Sequence, residues 1–318
     1  MSRYFIIDND AGIDDAWAIF VLLNSNPVNH VLALTCVNGN TSLDNVFKNN
    51  TRLLTVLNRR DIPVYLGARS QLIPPEKSSK SSVTDDLQYF HGKNGFGDVE
   101  LPKMEFGKPP DESAVHAIYR LSQEKPGEVT LVCCGPLTNI ALAIRTYPDF
   151  VQNVKEIFIM GGNYTATGNT TRCAEFNFHT DPEAAYIVLH EMEGKITLLP
   201  WETCMRTKVP FPWREELGTN CGPVVSFLNI IEGPIMSRLK KLGYKSYISA
   251  DQLLAAVISE PELLQEVESL HASVELAGFH TRGQIVVDHL NTNKHNTKVI
   301  KQVNLEKYQH LLWSLRHL

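Results

Sequence analysis

Short Val/Ile-rich runs alternate with longer amphipathic stretches along this chain, and that alternation limits the fold more than any other feature. The runs are Tyr4–Asp8, Val31–Val37, Val129–Cys134, Val154–Met160 and Lys195–Pro200. They are mostly apolar on both faces, as in strands of a sheet that helices cover on both sides. Between the first two, Ala16, Ile19, Phe20 and Leu23 fall at i, i+3, i+4 and i+7, one face of a helix. Similar stretches begin near Leu43, Asp111, Leu137, Pro182, Pro223 and Asp251. The pattern predicts an α/β fold with a mainly parallel open sheet flanked by helices.

Two segments interrupt the rhythm. Residues 69–110 hold a Ser/Lys run at 77–82 and prolines at 74, 75, 102, 109 and 110, which reads as a long loop or flap. Residues 203–222 read as a second irregular stretch. Neither has the composition of a linker between two cores, so residues 1–318 are expected to form a single domain. With 43% hydrophobic and 20% charged residues, the chain can bury a core.

Charge and cysteine usage narrow the partners. Thirty Lys and Arg against 35 Asp and Glu leave a net charge of −5, a poor match for nucleic acid or an anionic membrane. Six cysteines show no C-x-x-C pair and no zinc spacing, so they read as free thiols of a reducing compartment. There is no signal-peptide apolar core and no apolar run of about 18 residues. A cytoplasmic protein is expected.

Chemistry concentrates where the first run ends. Ile6-Ile7-Asp8-Asn9-Asp10-Ala11-Gly12-Ile13-Asp14-Asp15-Ala16 puts four acids within eight residues, between a strand and a helix. Ligands of open α/β sheets bind at that carboxyl end. Clustered carboxylates repel unless solvent or a cation relieves them, and a hard divalent ion such as Ca²⁺ or Mg²⁺ prefers such oxygens. A solvated acidic turn with Asp14 as a helix cap is the plain alternative. An EF-hand loop is a poor fit, because Gly12 stands where its third ligand belongs. A phosphatase with an aspartate nucleophile at Asp8 or Asp10 is a further alternative, although Gly12 replaces the usual Thr or Val.

Asp8 to Ala16 resembles the D-x-D-x-G-x-D-D-A signature of the nucleoside hydrolases. Other blocks follow in family order: Val37-Asn38-Gly39-Asn40, with Asn45 downstream; the flap-like His91-Gly92-Lys93-Asn94-Gly95-Phe96-Gly97; and Cys134-Gly135-Pro136-Leu137-Thr138-Asn139-Ile140-Ala141. Met160-Gly161-Gly162, Gly168-Asn169, Ala174-Glu175-Phe176-Asn177 and Asp181-Pro182-Glu183-Ala184-Ala185 resemble the central block, and Asp251 resembles the last metal ligand.

The resemblance implies an N-ribohydrolase that splits a ribonucleoside into ribose and free base. It implies one Ca²⁺, held by Asp10, Asp15, Asp251 and the backbone carbonyl of Cys134. Asp10 would serve as base toward water, Asp14 would bind the 2′-hydroxyl, and Asn40 and Asn177 the other ribose hydroxyls. Asn169 and Glu175 would hold the 5′-hydroxyl, and His91 is a second catalytic candidate. A homodimer or homotetramer is implied. The chain shows no P-loop or Arg cluster for a 5′-phosphate, which favours nucleosides over nucleotides.

The sequence departs from the family pattern at two positions. Cys134 stands where Thr is common. Ala250 stands where a base-protonating His or a stacking aromatic is common, and it can do neither job. Another group, His91 or a residue of the 203–247 region, is then left to act on the departing base, or the base must be a good leaving group. Trp201, Tyr244 and Tyr247 lie nearby, with packing as the plainer reading of each. The alternative is a calcium- and ribose-binding protein with weak or lost hydrolysis.

Overall fold

The first strand, β1 (Arg3–Asn9), is buried from Phe5 onward and runs through the middle of an eight-stranded sheet. The computed structural model describes residues 2–24, 29–74 and 90–318. The other sheet strands are β2 (Asn29–Cys36), β3 (Val64–Leu66), β4 (Val129–Cys133), β5 (Val154–Met160), β6 (Ile196–Leu199), β9 (Leu264–Leu270) and β12 (Thr297–Val303). Two antiparallel ribbons, β7 (Lys208–Pro210) with β8 (Ser246–Ile248) and β10 (Ala272–Val274) with β11 (Ile285–Val287), lie outside it.

The order is β3-β2-β1-β4-β5-β6-β12-β9. Every neighbouring pair is parallel except β12 with β9. The chain leaves β1 toward β2 and β3, then returns to the other side of β1 for β4 to β6. That reversal opens a crevice at the carboxyl ends of β1 and β4, the usual ligand position in this architecture.

Alternation along β1 divides the core. Phe5 and Ile7 pack into one apolar cluster, and Ile6 packs into the other on the opposite face of the sheet. The first cluster holds α1 (Ile13–Asn24) and the helix Asp251–Ser259, both buried around almost their whole circumference. A helix apolar all round has to be covered on every side, and these two pack against each other. Each carries acids in its first turn, Asp14 and Asp15 on one and Asp251 on the other.

The five strand-like runs and the mainly parallel sheet are as the sequence predicts. Residues 203–222 differ. They form the end of the helix Trp201–Arg206, then β7 and the helix Phe211–Leu217. Prolines at 210 and 212 disguise that helix, but proline is tolerated in a first turn, where the amide hydrogen has no helical partner. Within 69–110, residues 75–89, including Pro75 and the Ser/Lys run, lie outside the described residues. The described parts, 69–74 and 90–110, carry turns and bends but no helix or strand. No described helix is long and apolar enough to cross a membrane.

Candidate active site

Two backbone hydrogen bonds tie the end of β1 to the chain on either side. Val37 N–H donates to the Asn9 carbonyl at 3.0 Å, and Cys134 N–H donates to the Asp8 carbonyl at 2.8 Å. The chain then turns through Ala11, whose φ of 48° is left-handed and costly for a residue with a side chain. It enters α1 at Ile13. Gly12 N–H donates to Asp15 Oδ2 at 2.7 Å, so Asp15 closes the turn that presents it.

Asp10 is fully buried and both its oxygens are engaged. Asn40 N–H reaches Oδ2 at 2.7 Å, and the Asn40 side-chain amide reaches Oδ1 at 2.9 Å and Asp15 Oδ2 at 3.4 Å. This approach needs Gly39. A Cβ there would stand 2.0 Å from Asp10 Oδ2, well inside contact distance. Asp8, two residues earlier and still within β1, has a different role. Its Oδ1 accepts from Thr35 at 2.6 Å and from Asn139 at 2.8 Å. Asn139 also donates to the Cys36 carbonyl and accepts from Ala68 N–H, so it is structural, as its position at a helix start suggests.

The other candidates fall into two groups. Asp15, Cys134 and Asp251 are buried together, and a carboxylate oxygen of each acid and the thiol sulfur lie within 4.8 Å of one another. Asn177 joins them from the helix Phe176–Thr180, donating to the carbonyls of Cys134 at 3.2 Å and Met160 at 3.0 Å. Glu175 is buried too, but as the cap of that helix. It accepts from the backbone N–H groups of Gly162, Asn177 and Phe178. Asn169 is half-buried in the loop before it, where its Oδ1 accepts from the Thr170 hydroxyl.

His91 packs on the same turn. Its Nδ1 accepts from Ile13 N–H at 3.1 Å, and its Nε2 lies 3.5 Å from Asp14 Oδ1. Burial pulls its pKa below the ordinary histidine value, partly opposed by the Asp14 charge. An imidazole that accepts at Nδ1 and stays neutral carries its proton on Nε2. The rest of its loop is fastened to the turn through Asn49, whose amide donates to the carbonyls of Ala11 and Asn94. Among the aromatic candidates, Tyr244 is 58% exposed, whereas Tyr247 is buried on β8 and Trp201 is half-buried.

Burial dominates the electrostatics. It raises Asp10 from 3.8 to about 8 and lifts Asp15 and Asp251 well above the ordinary carboxylate range, and the neighbouring acids add to each shift. Burial also raises Asp8 and Glu175 to about 7. Asp15 Oδ1 and Asp251 Oδ1 are buried without any hydrogen-bond partner. Orphaned buried oxygens are costly, and oxygens of this kind suit a hard divalent cation. The Cys134 carbonyl has a second lone pair beside the one Asn177 uses, so it can join that set.

Residues 5–310 match the family model described as inosine-uridine preferring nucleoside hydrolase. The chain belongs to this family. A Leishmania major protein named Inosine-uridine preferring nucleoside hydrolase is 33% identical over 315 residues, covering 97% of this chain and 95% of that one. An Arabidopsis thaliana protein named Probable uridine nucleosidase 2 is 41% identical over 186 residues. That match covers 58% of this chain and 55% of the plant protein, about half its length. A solved structure named Inosine-Guanosine Nucleoside Hydrolase aligns with a TM-score of 0.89 at 27% identity, covering 99% of each chain. Its relatives and structural neighbours are thus ribonucleoside hydrolases, glycosidases acting on N-glycosyl bonds.

The acid turn was legible from local sequence. Three supports of the candidate site were not: Gly39, which leaves room for Asp10, Thr35, which holds Asp8, and the reach of Asn139 to that same Asp8. Val37-Asn38-Gly39-Asn40 was the available signal for Gly39, but only the fold shows what the glycine faces.

Proposed function

We propose that this chain hydrolyses the N-glycosidic bond of ribonucleosides to ribose and a free purine or pyrimidine base, and that calcium is required. The observation that carries the reading is the pair of orphaned, buried oxygens, Asp15 Oδ1 and Asp251 Oδ1, at the carboxyl end of β1 and β4. Asp10, Asp15, Asp251 and the Cys134 carbonyl would hold the ion. Bound there, calcium would offset the acids' repulsion and supply a Lewis-acid contact for the ribose hydroxyls.

The chain's own groups do the rest. The glycosidic electron pair leaves with the base, and cationic character builds on the ribose. A water adds to the sugar and gives a proton to Asp10, whose two oxygens Asn40 holds in one orientation. Asp14 binds the 2′-hydroxyl, and Asn40 and Asn177 bind other hydroxyls. Asn169 and Glu175 hold the 5′-hydroxyl, and the three backbone donors on Glu175 fix the direction in which it accepts. His91 enters as the neutral ring beside Asp14, a hydrogen-bond donor and not a ready source of protons.

Ala250 favours one further reading. Its buried methyl leaves no acid just before Asp251, so the departing base needs another donor or must leave unaided. A calcium- and ribose-binding protein with weak hydrolysis is the outcome if neither holds. The test is release of reducing sugar from inosine, uridine, adenosine and a nitrophenyl riboside, with and without chelator. Chelator-sensitive release supports the hydrolase. Retained calcium and ribose binding with no release from any riboside replaces it with the binding protein. We further propose a cytoplasmic homodimer or homotetramer, to be checked by fractionation and by light scattering.

A further inference from the structure

One atom of the acid cluster is foreign to a hard cation. The Cys134 sulfur, in a residue 2% exposed, shares the 4.8 Å cluster with carboxylate oxygens of Asp15 and Asp251. Each of those acids has one buried, unpartnered oxygen, Oδ1 in both. Calcium needs only the backbone carbonyl of residue 134, which any residue type supplies. The sulfur is a further donor that the carbonyl's role does not use. Cys133 belongs to the apolar cluster on the opposite face of the sheet, so the two adjacent thiols do not converge.

Thiolate ligands select soft or borderline cations, and carboxylates complete such sites. We propose that this pocket also takes a thiophilic divalent cation of the zinc or cadmium type, ligated by Asp15, Asp251 and the Cys134 sulfur. It competes there with the hard cation. When it binds, the sulfur gives an electron pair to the metal and its proton leaves to solvent, with no change of oxidation state. Three protein ligands leave a coordination position open. The soft-metal site stands on the thiol and the two carboxylates alone, and only the competition rests on the calcium reading.

The test titrates the metal-stripped full chain with cadmium chloride and follows the thiolate-to-metal charge-transfer band in the ultraviolet. The parent should develop the band with a single equivalent. Cys134→Ser and Cys134→Thr should abolish it and weaken cadmium binding at least about tenfold, the scale of loss seen even for groups that merely support a ligand. Cys204→Ser should keep it. Near-ultraviolet circular dichroism identifies any variant that has failed to fold, and having two variants at 134 guards against that failure. No band in the parent, or a band surviving in a folded Cys134 variant, overturns the proposal. Calcium in excess should raise the cadmium needed for half-saturation. If it does not, the shared site is wrong, and calcium calorimetry on the parent shows separately whether the calcium reading has failed.

Discussion

Asn40 grips both oxygens of Asp10, its backbone N–H on Oδ2 at 2.7 Å and its side-chain amide on Oδ1 at 2.9 Å. The carboxylate therefore has one orientation, set by a neighbouring strand end. Replacing Asp10 with Asn keeps the size but removes the basic oxygen. Turnover of the best riboside should fall by about 10²–10⁴, the usual contribution of a positioned base. Steady-state kinetics checks this, and an unchanged kcat would rule out the base role.

Gly39→Ala probes the same contact from the other side. The added methyl would stand 2.0 Å from Asp10 Oδ2 and 2.9 Å from Pro136 Cδ, so Asp10 must shift. Overpacking of this kind costs about 1–3 kcal/mol. The variant should melt lower and bind calcium more weakly, as read by urea denaturation and calorimetry. Parent-like values in both would show that the turn can yield freely.

Stability should depend on pH in a way that calcium reverses. In the cation-free protein burial raises Asp10 from 3.8 to about 8, so the folded state holds that proton more tightly than the unfolded chain. Stability from this group is full below the ordinary carboxylate pKa and is lost as pH rises through the folded value. Asp15 and Asp251 shift in the same direction. Calcium competes with the same protons, so the rise in Tm on adding calcium should grow between about pH 5.5 and 8. A calcium effect that stays flat or shrinks over that range contradicts the assignment.

A buried ion pair behind the site gives a separate prediction. Arg214 Nε donates to Glu232 Oε2 at 2.7 Å, while Trp17 Nε1 donates to Oε1 at 2.5 Å. Both charged residues are almost fully buried. Glu232→Gln leaves Trp17 an acceptor but strands the Arg214 charge, at a cost of about 3–5 kcal/mol. Glu232→Ala should cost more, because the indole also loses its partner. Chemical denaturation of both variants checks the order, and equal losses would show that the indole bond contributes nothing.

Legibility in the sequence followed locality. The acids of the first turn stand within eight residues and declared themselves, whereas Asp251 became a candidate only through the order of the family's motifs. Asn139 reaches Asp8 across 131 residues, a relation no local pattern carries. The buried parallel strands were visible as apolar runs. β9 was not, because Gln265 to Ser269 are largely polar and exposed on a sheet edge. β3 has only three residues. The short helix Phe211–Leu217 was hidden by the prolines around its start. The direction of the Cys134 sulfur was likewise invisible, since it depends on how the end of β4 meets two helices.

The position of β12 also bears on how the chain is made. It lies between β6 and β9, parallel to one and antiparallel to the other. While the chain emerges from the ribosome, residues 264–270 and the outer edge of β6 have no strand to pair with until residues 297–303 appear. Asp10, Asp14 and Asp15 emerge long before that, whereas Asp251 emerges just ahead of β9. A nascent chain therefore carries its acidic turn early but keeps an open, adhesive sheet edge late, the interval in which a chaperone would have most to protect.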